Sequence, residues 1–151
     1  MTPHQLLSTG QAITDRLQAA LQPFALLALR LPVAWVFWAS ARTKVEGWNI
    51  FAPSPSAFFL FEHEYGLPFP VLSAHLATLA EHILPVLLVL GLATRLGALG
   101  LLTMTMVIQL FVYPDAWVSH HMFWATILFA VLVLGPGRFS LDHLILQRLQ
   151  G

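Results

Sequence analysis

The segment VLSAHLATLAEHILPVLLVLGLA, residues 71–93, decides the fold. It is long enough to cross a ~30 Å hydrocarbon core as a helix, which needs ~20 mostly apolar residues. Its only charged side chain is Glu81, with His75 and His82 one heptad apart. Working outward, residues 96–113 (LGALGLLTMTMVIQLFVY) carry no charge, and the run from Ala116 to Pro136 carries none either. Phe24 to Ala41 is apolar except for Arg30 and Ser40. Charged residues make up 9% of the chain and hydrophobic ones 58%, where a soluble domain has roughly 25% and ~45–50%. A soluble domain of this size cannot hide that much apolar surface. The expected fold is therefore all-α: an integral membrane four-helix antiparallel bundle with spans at about 24–44, 71–93, 96–113 and 118–136.

Connections fix the topology. Ala93-Thr94-Arg95 and Tyr113-Pro114-Asp115 are tight turns, which force antiparallel neighbours. The first connection is longer and holds Pro53, Pro55, Pro68 and Pro70. Ser54 followed by Pro55 reads as a helix N-cap, and Gly66 as a stop. The sequence predicts a short helix over 55–65 with Phe58, Phe61 and Tyr65 on one face. It lies in the membrane interface, where aromatic rings are favoured, or folds back as a re-entrant cap. Residues 1–22 form an amphipathic N-terminal segment along the membrane surface, with Leu6, Ile13, Leu17, Leu21 and Phe24 at helical spacing. The domain is then 23–143, followed by a tail over 144–151. The start does not read as a cleaved signal peptide.

Basic residues set the expected orientation. Arg16, Arg30, Arg95, Arg138 and Arg148 fall on one side of four spans; Arg42 and Lys44 fall on the other. Both termini are expected in the cytoplasm of a bacterial inner membrane. Formal net charge is zero and no basic stripe exists, which excludes nucleic acid as a partner. The chain has no cysteine, so thiol chemistry, thiolate-held zinc and iron–sulfur clusters are excluded for it.

Polar groups inside a bilayer are costly and mark candidate sites. Glu81 sits ten residues into its helix, about 15 Å deep. As the only carboxylate within a span it is the expected partner of Arg30, since a buried charge without one is strongly disfavoured. His82 beside it is a natural proton carrier. Arg30, Glu81 and His82 are the candidate catalytic set, with a purely structural staple as the competing explanation. A second group gathers toward the outer face: Lys44, Glu46, the loop residues Glu62, His63 and Glu64, His75, Gln109, Tyr113, Trp117, His120 and His121. Nitrogen and oxygen donors of this kind suit a metal, with His75, His120 and His121 as candidate ligands, although no H-E-x-x-H spacing is present. Haem ligation between His82 and a fourth-helix histidine is a variant. Gly97, Ala98 and Gly100 allow close helix packing within a monomer or in a homo-oligomer.

Several short motifs, in this order and spacing, resemble the DoxX family of small four-helix bacterial membrane proteins over about residues 29–143. They are Arg30-Leu31 before an aromatic-rich helix ending in Lys44, Ala80-Glu81, Gly91-Leu92-Ala93-Thr94-Arg95, and Gly135-Pro136-Gly137-Arg138-Phe139-Ser140-Leu141-Asp142. Gln109-Leu110-Phe111-Val112-Tyr113-Pro114 with Trp117 looks like a subgroup feature. Ala39, Ser40 and Ala41 stand where the family usually has a glycine before the lysine. The resemblance implies a membrane subunit of a redox system, binding a quinone or a partner oxidoreductase. Lys44, His75, Gln109, Tyr113 and Trp117 are then the candidate quinone-binding residues. A similarity to quinone-linked thiol oxidases cannot extend to their chemistry, which needs cysteines. A metal-handling or transport component, and a scaffold that assembles other proteins, are the alternatives.

Overall fold

A computed structural model describes residues 3–151, with side chains from Gly10 onward. Its regular elements are all helical, and the connecting loops add one isolated bridge between Val45 and Pro53. The elements are α1 (Pro3–Thr43), α2 (Pro55–His63), α3 (Pro70–Leu90), α4 (Thr94–Val107), α5 (Met122–Leu134) and α6 (Leu141–Gln150). Four of the helical stretches are long and apolar enough to cross a membrane: Gly10–Thr43, Pro70–Leu90, Thr94–Val112 and Pro114–Leu134. The protein is a multi-pass membrane protein.

α1 is 41 residues long, about 61 Å, twice the hydrocarbon thickness. Pro23 and Pro32 lie inside it. Each proline removes one backbone hydrogen bond, which a helix in lipid tolerates when neighbours pack around it. The amphipathic segment and the first span are thus one unbroken helix. Ile13, Leu17, Leu21 and Phe24 keep an exposed apolar stripe along it; Leu6 lies outside the described side chains.

The bundle closes around Val33, Ala34, Phe37, Leu88, Ala98, Leu101, Leu128 and Val131. The small residues of α4 pack within the chain. A Cβ on Gly97 would touch Leu88 and the Leu84 carbonyl, and one on Gly100 would press on Leu84 Cδ1. These glycines let α3 and α4 approach closely. The turn between them falls at Gly91–Ala93, two residues earlier than the sequence reading placed it. Gly91 takes φ +67° and caps α3 with bonds to Leu87 and Leu88 carbonyls, so the helix stops where glycine removes the penalty for a left-handed residue.

α4 and α5 are joined by an unusual passage. α4 widens into a π turn at Ile108–Val112, a 3-10 turn follows at Pro114–Ala116, and a second π turn at Trp117–His121 leads into α5. Each π turn inserts a residue relative to an α-helix and rotates the side chains that follow it.

Candidate functional site

Both ends of the bundle hold buried polar groups. At the end that carries α6, Arg30 is fully buried. Its Nη1 donates to the Leu88 carbonyl at 3.3 Å and its Nη2 to the Phe139 carbonyl at 2.5 Å. The Leu88 carbonyl belongs to the last turn of α3, where orphan carbonyls and the helix dipole attract a cation. Asp142 closes the same knot from the tail. Its carboxylate accepts from the Ala93 and Thr94 amides at 2.8 and 2.9 Å and from the Thr94 hydroxyl at 2.9 Å. The Asp142 amide donates back to the Gly91 carbonyl at 2.9 Å. Burial alone would push the Asp142 carboxyl up, but those bonds and the Arg30 charge outweigh it and hold it below the usual carboxylate range.

The expected Arg30–Glu81 pair therefore does not form. Ten residues separate Arg30 from Ser40 on α1, and ten separate Glu81 from Gly91 on α3, about 15 Å in each case. Arg30 faces the Gly91 level and Ser40 the Glu81 level. Helical side chains lean toward their N-terminus, so Arg30 leans away from Glu81, and Lys44 leans toward it. Lys44 Nζ reaches Glu81 Oε2 at 2.7 Å, a buried ion pair. The same ammonium donates to Ser40 Oγ at 2.9 Å. The Lys44 backbone is fixed on both sides: its amide donates to Ala41 and its carbonyl accepts from Ser54. Ser54 is in turn the N-cap of α2, accepting from the Ala57 amide. One short segment positions both the lysine and the helix that covers it.

The ion pair sits in the wall of a cavity of ≈ 690 Å³. α2 and the residues after it roof this cavity through Phe61, Tyr65 and Gly66, so α2 acts as a cap over the bundle. The roof is tied down by Tyr113, whose hydroxyl donates to Glu64 Oε1 at 2.5 Å. That bond to a carboxylate, then burial, pushes the Tyr113 phenol well above its ordinary value. Burial does the same for Tyr65. Leu76 and Phe111 line the cavity and are also exposed on the outside of the bundle. On this side the cavity wall is built from α3 and α4.

The remaining candidate residues divide by geometry. Lys44, Glu81 and Tyr113 line the cavity together with His121. His82 does not: its Nδ1–H donates to the Thr78 carbonyl at 2.7 Å and its ring lies edge-on to Trp38. His82 follows Glu81 directly, and successive helical residues point ~100° apart. His75 bonds its own Val71 carbonyl and packs on Phe58. Trp117 is outside the lining, and Gln109 stands behind it, joined to His121 at 2.7 Å. The candidate metal set also separates. His120 contacts Ser119 on the exposed side while His121 turns inward. Among the described residues no group of three or more His, Cys, Asp or Glu is placed to hold a metal. Ser40, Tyr65 and Trp124 join the cavity wall, although the sequence did not place them among the candidate site residues. Ser40 did carry a signal, four residues before Lys44 on one helix face.

A family model described as DoxX matches residues 25–114. An uncharacterized protein of Haemophilus influenzae is 31% identical, over 80% of this chain and 83% of its own. No solved structure matches.

Proposed function

The chain belongs to the DoxX family, and within it we propose that it acts as the quinone-binding membrane subunit of a redox system. The observation that carries the proposal is the Lys44–Glu81 pair in the wall of an apolar cavity. Its volume falls within the ~300–1,000 Å³ usual for small-ligand sites, which combine apolar walls with few polar groups. A quinone has a matching division: an apolar tail that enters from lipid and ring oxygens that seek polar partners. Lys44 donates to such an oxygen and Glu81 accepts or returns a proton beside it. The ion pair is costly to bury in this position, and a ligand that uses it gives it a purpose. A quinone supplies two-electron chemistry when bound. Because the chain has no cysteine, those electrons pass to and from a partner oxidoreductase.

The orientation belongs to the same proposal. Arg30, Arg95 and Arg138 lie at the α6 end, which is assigned to the cytoplasm of a bacterial inner membrane. The cavity then lies toward the outer face. Single cysteines at Gly10 and Gly47, labelled from outside intact cells, test this: label at Gly47 and none at Gly10 is expected.

The function is tested by purification in mild detergent. Lipid-extract mass spectrometry is expected to find quinone with the protein, and added decylubiquinone to raise its melting temperature. The shift is expected to vanish in a Lys44→Met, Glu81→Leu double variant. A well-folded sample with no quinone and no shift refutes the proposal.

A further inference from the structure

His121 is one of the buried polar residues of the bundle, and its ring is held in one protonation pattern by its neighbours. The pattern is set from Pro114. A backbone carbonyl only accepts, so the Gln109 group 2.7 Å from the Pro114 oxygen is the amide nitrogen. The other end of the Gln109 side chain, its Oε1, therefore faces His121 Nδ1 at 2.7 Å. An amide oxygen also only accepts, so Nδ1 carries the hydrogen. A neutral imidazole with its hydrogen on Nδ1 has a bare lone pair on Nε2.

That Nε2 makes no hydrogen bond among the described residues. Unlike His82 Nε2, it is not one of the sealed, unpartnered atoms. His121 lines the cavity, with its ring tilted against Trp124, another wall residue. The two π turns bring this about: Gln109 lies in the first and His121 ends the second. The cavity accordingly has unlike polar walls. Lys44 and Glu81 offer a donor and an acceptor together, and suit either a carbonyl or a hydroxyl. His121 offers an acceptor only. Phe37, Phe61, Phe111 and Trp124 complete a wall suited to an aromatic ring.

We infer that His121 Nε2 accepts a hydrogen bond from a ring hydroxyl of the ligand, so that the cavity takes the phenolic, reduced form in preference to the carbonyl form. The inference rests on the quinone reading of this cavity and adds the redox form to it. A carbonyl at the same place would set lone pair against lone pair and leave both unpaired. Gln109 is the positioning residue: it touches no ligand and acts by fixing the tautomer.

The test uses two probes, 4-heptyloxyphenol and its methyl ether, titrated calorimetrically into detergent-solubilised protein under anaerobic conditions. They share ring and tail and differ in a methyl group that replaces the hydroxyl hydrogen. The phenol is expected to bind about tenfold tighter, the effect of leaving one buried acceptor unpaired. His121→Phe is expected to abolish the difference while keeping ether affinity. Gln109→Glu keeps an acceptor toward Nδ1 and is expected to keep the preference; Gln109→Leu is expected to reduce it. The tautomer is read independently of any variant's folding, from the imidazole ¹⁵N shifts of the unliganded protein. Nε2 is expected in the unprotonated range, and a hydrogen on Nε2 overturns the inference. Equal binding of both probes also overturns it, while leaving the quinone reading standing. If neither probe binds, the quinone reading falls and the inference with it.

Discussion

Replacing Lys44 with methionine keeps the length of the side chain and removes its charge. Glu81 then stays buried opposite an apolar group. The two side chains are 8% and 4% exposed, so solvent does little to screen the loss. Removing one partner of such a pair costs about 3–5 kcal/mol, because the remaining charge is uncompensated. Replacing both partners with well-packed apolar residues is neutral or stabilising by about 1–4 kcal/mol in comparable cases. Lys44→Met is therefore expected to destabilise strongly, and Lys44→Met with Glu81→Leu to recover most or all of that loss. The coupling between the two sites is expected to exceed 2 kcal/mol. It is measured as a double-mutant cycle from reversible unfolding in mixed micelles, followed by circular dichroism. Additive effects, or a Lys44→Met cost below about 1 kcal/mol, would refute the geometry in which Lys44 and not Arg30 compensates Glu81.

Gly91→Ala is expected to cost at least 2 kcal/mol in the same unfolding assay, because its φ is +67° and its Cβ would run into Arg30 Nη1 and Ser140 Cβ. Asp142→Ala removes the cap of α4 and is expected to cost about 1–2 kcal/mol at neutral pH. Since the Asp142 pKa is lowered on folding, that stabilisation is complete above the unfolded value near ~4 and is lost as pH falls through the folded value. The difference between wild type and Asp142→Ala should shrink on acidification. Tyr113→Phe breaks the bond to Glu64 and is expected to raise amide hydrogen exchange around residues 60–68 several-fold, with the α3 core unchanged.

The spans were legible because a bilayer imposes one rule on every residue in it: apolar side chains and satisfied backbone groups. The start of α2 was legible too, since Ser54-Pro55 encodes a cap through local bonds, and the Ser54 hydroxyl does accept from Ala57. What failed was the pairing of buried charges. The sequence gives the depth of a Cα and says little about where a long side chain ends. Arg30 and Lys44 both lean toward the start of α1, which carries one away from Glu81 and the other onto it. The resemblance motifs around Arg30, Gly91 and Asp142 meet in a single knot at the α6 end, so their agreement reflects folding rather than chemistry. The inward turn of His121 was hidden for another reason. Helical periodicity assumes ~3.6 residues per turn, and the two π turns around Pro114 break that count. The remaining clue was Gln109, a polar side chain in an apolar span facing a histidine across a proline turn.

The proposed quinone site is tested most directly by photolabelling. A photoreactive azido-quinone with a short isoprenoid tail is irradiated with the purified protein, and the cross-linked peptides are mapped by mass spectrometry. Adducts are expected on peptides containing Lys44, Glu81, residues 103–113 and residues 121–124, and are expected to fall when decylubiquinone is added in excess. Labelling at the Arg30–Asp142 end, or labelling that excess quinone does not reduce, would contradict the account.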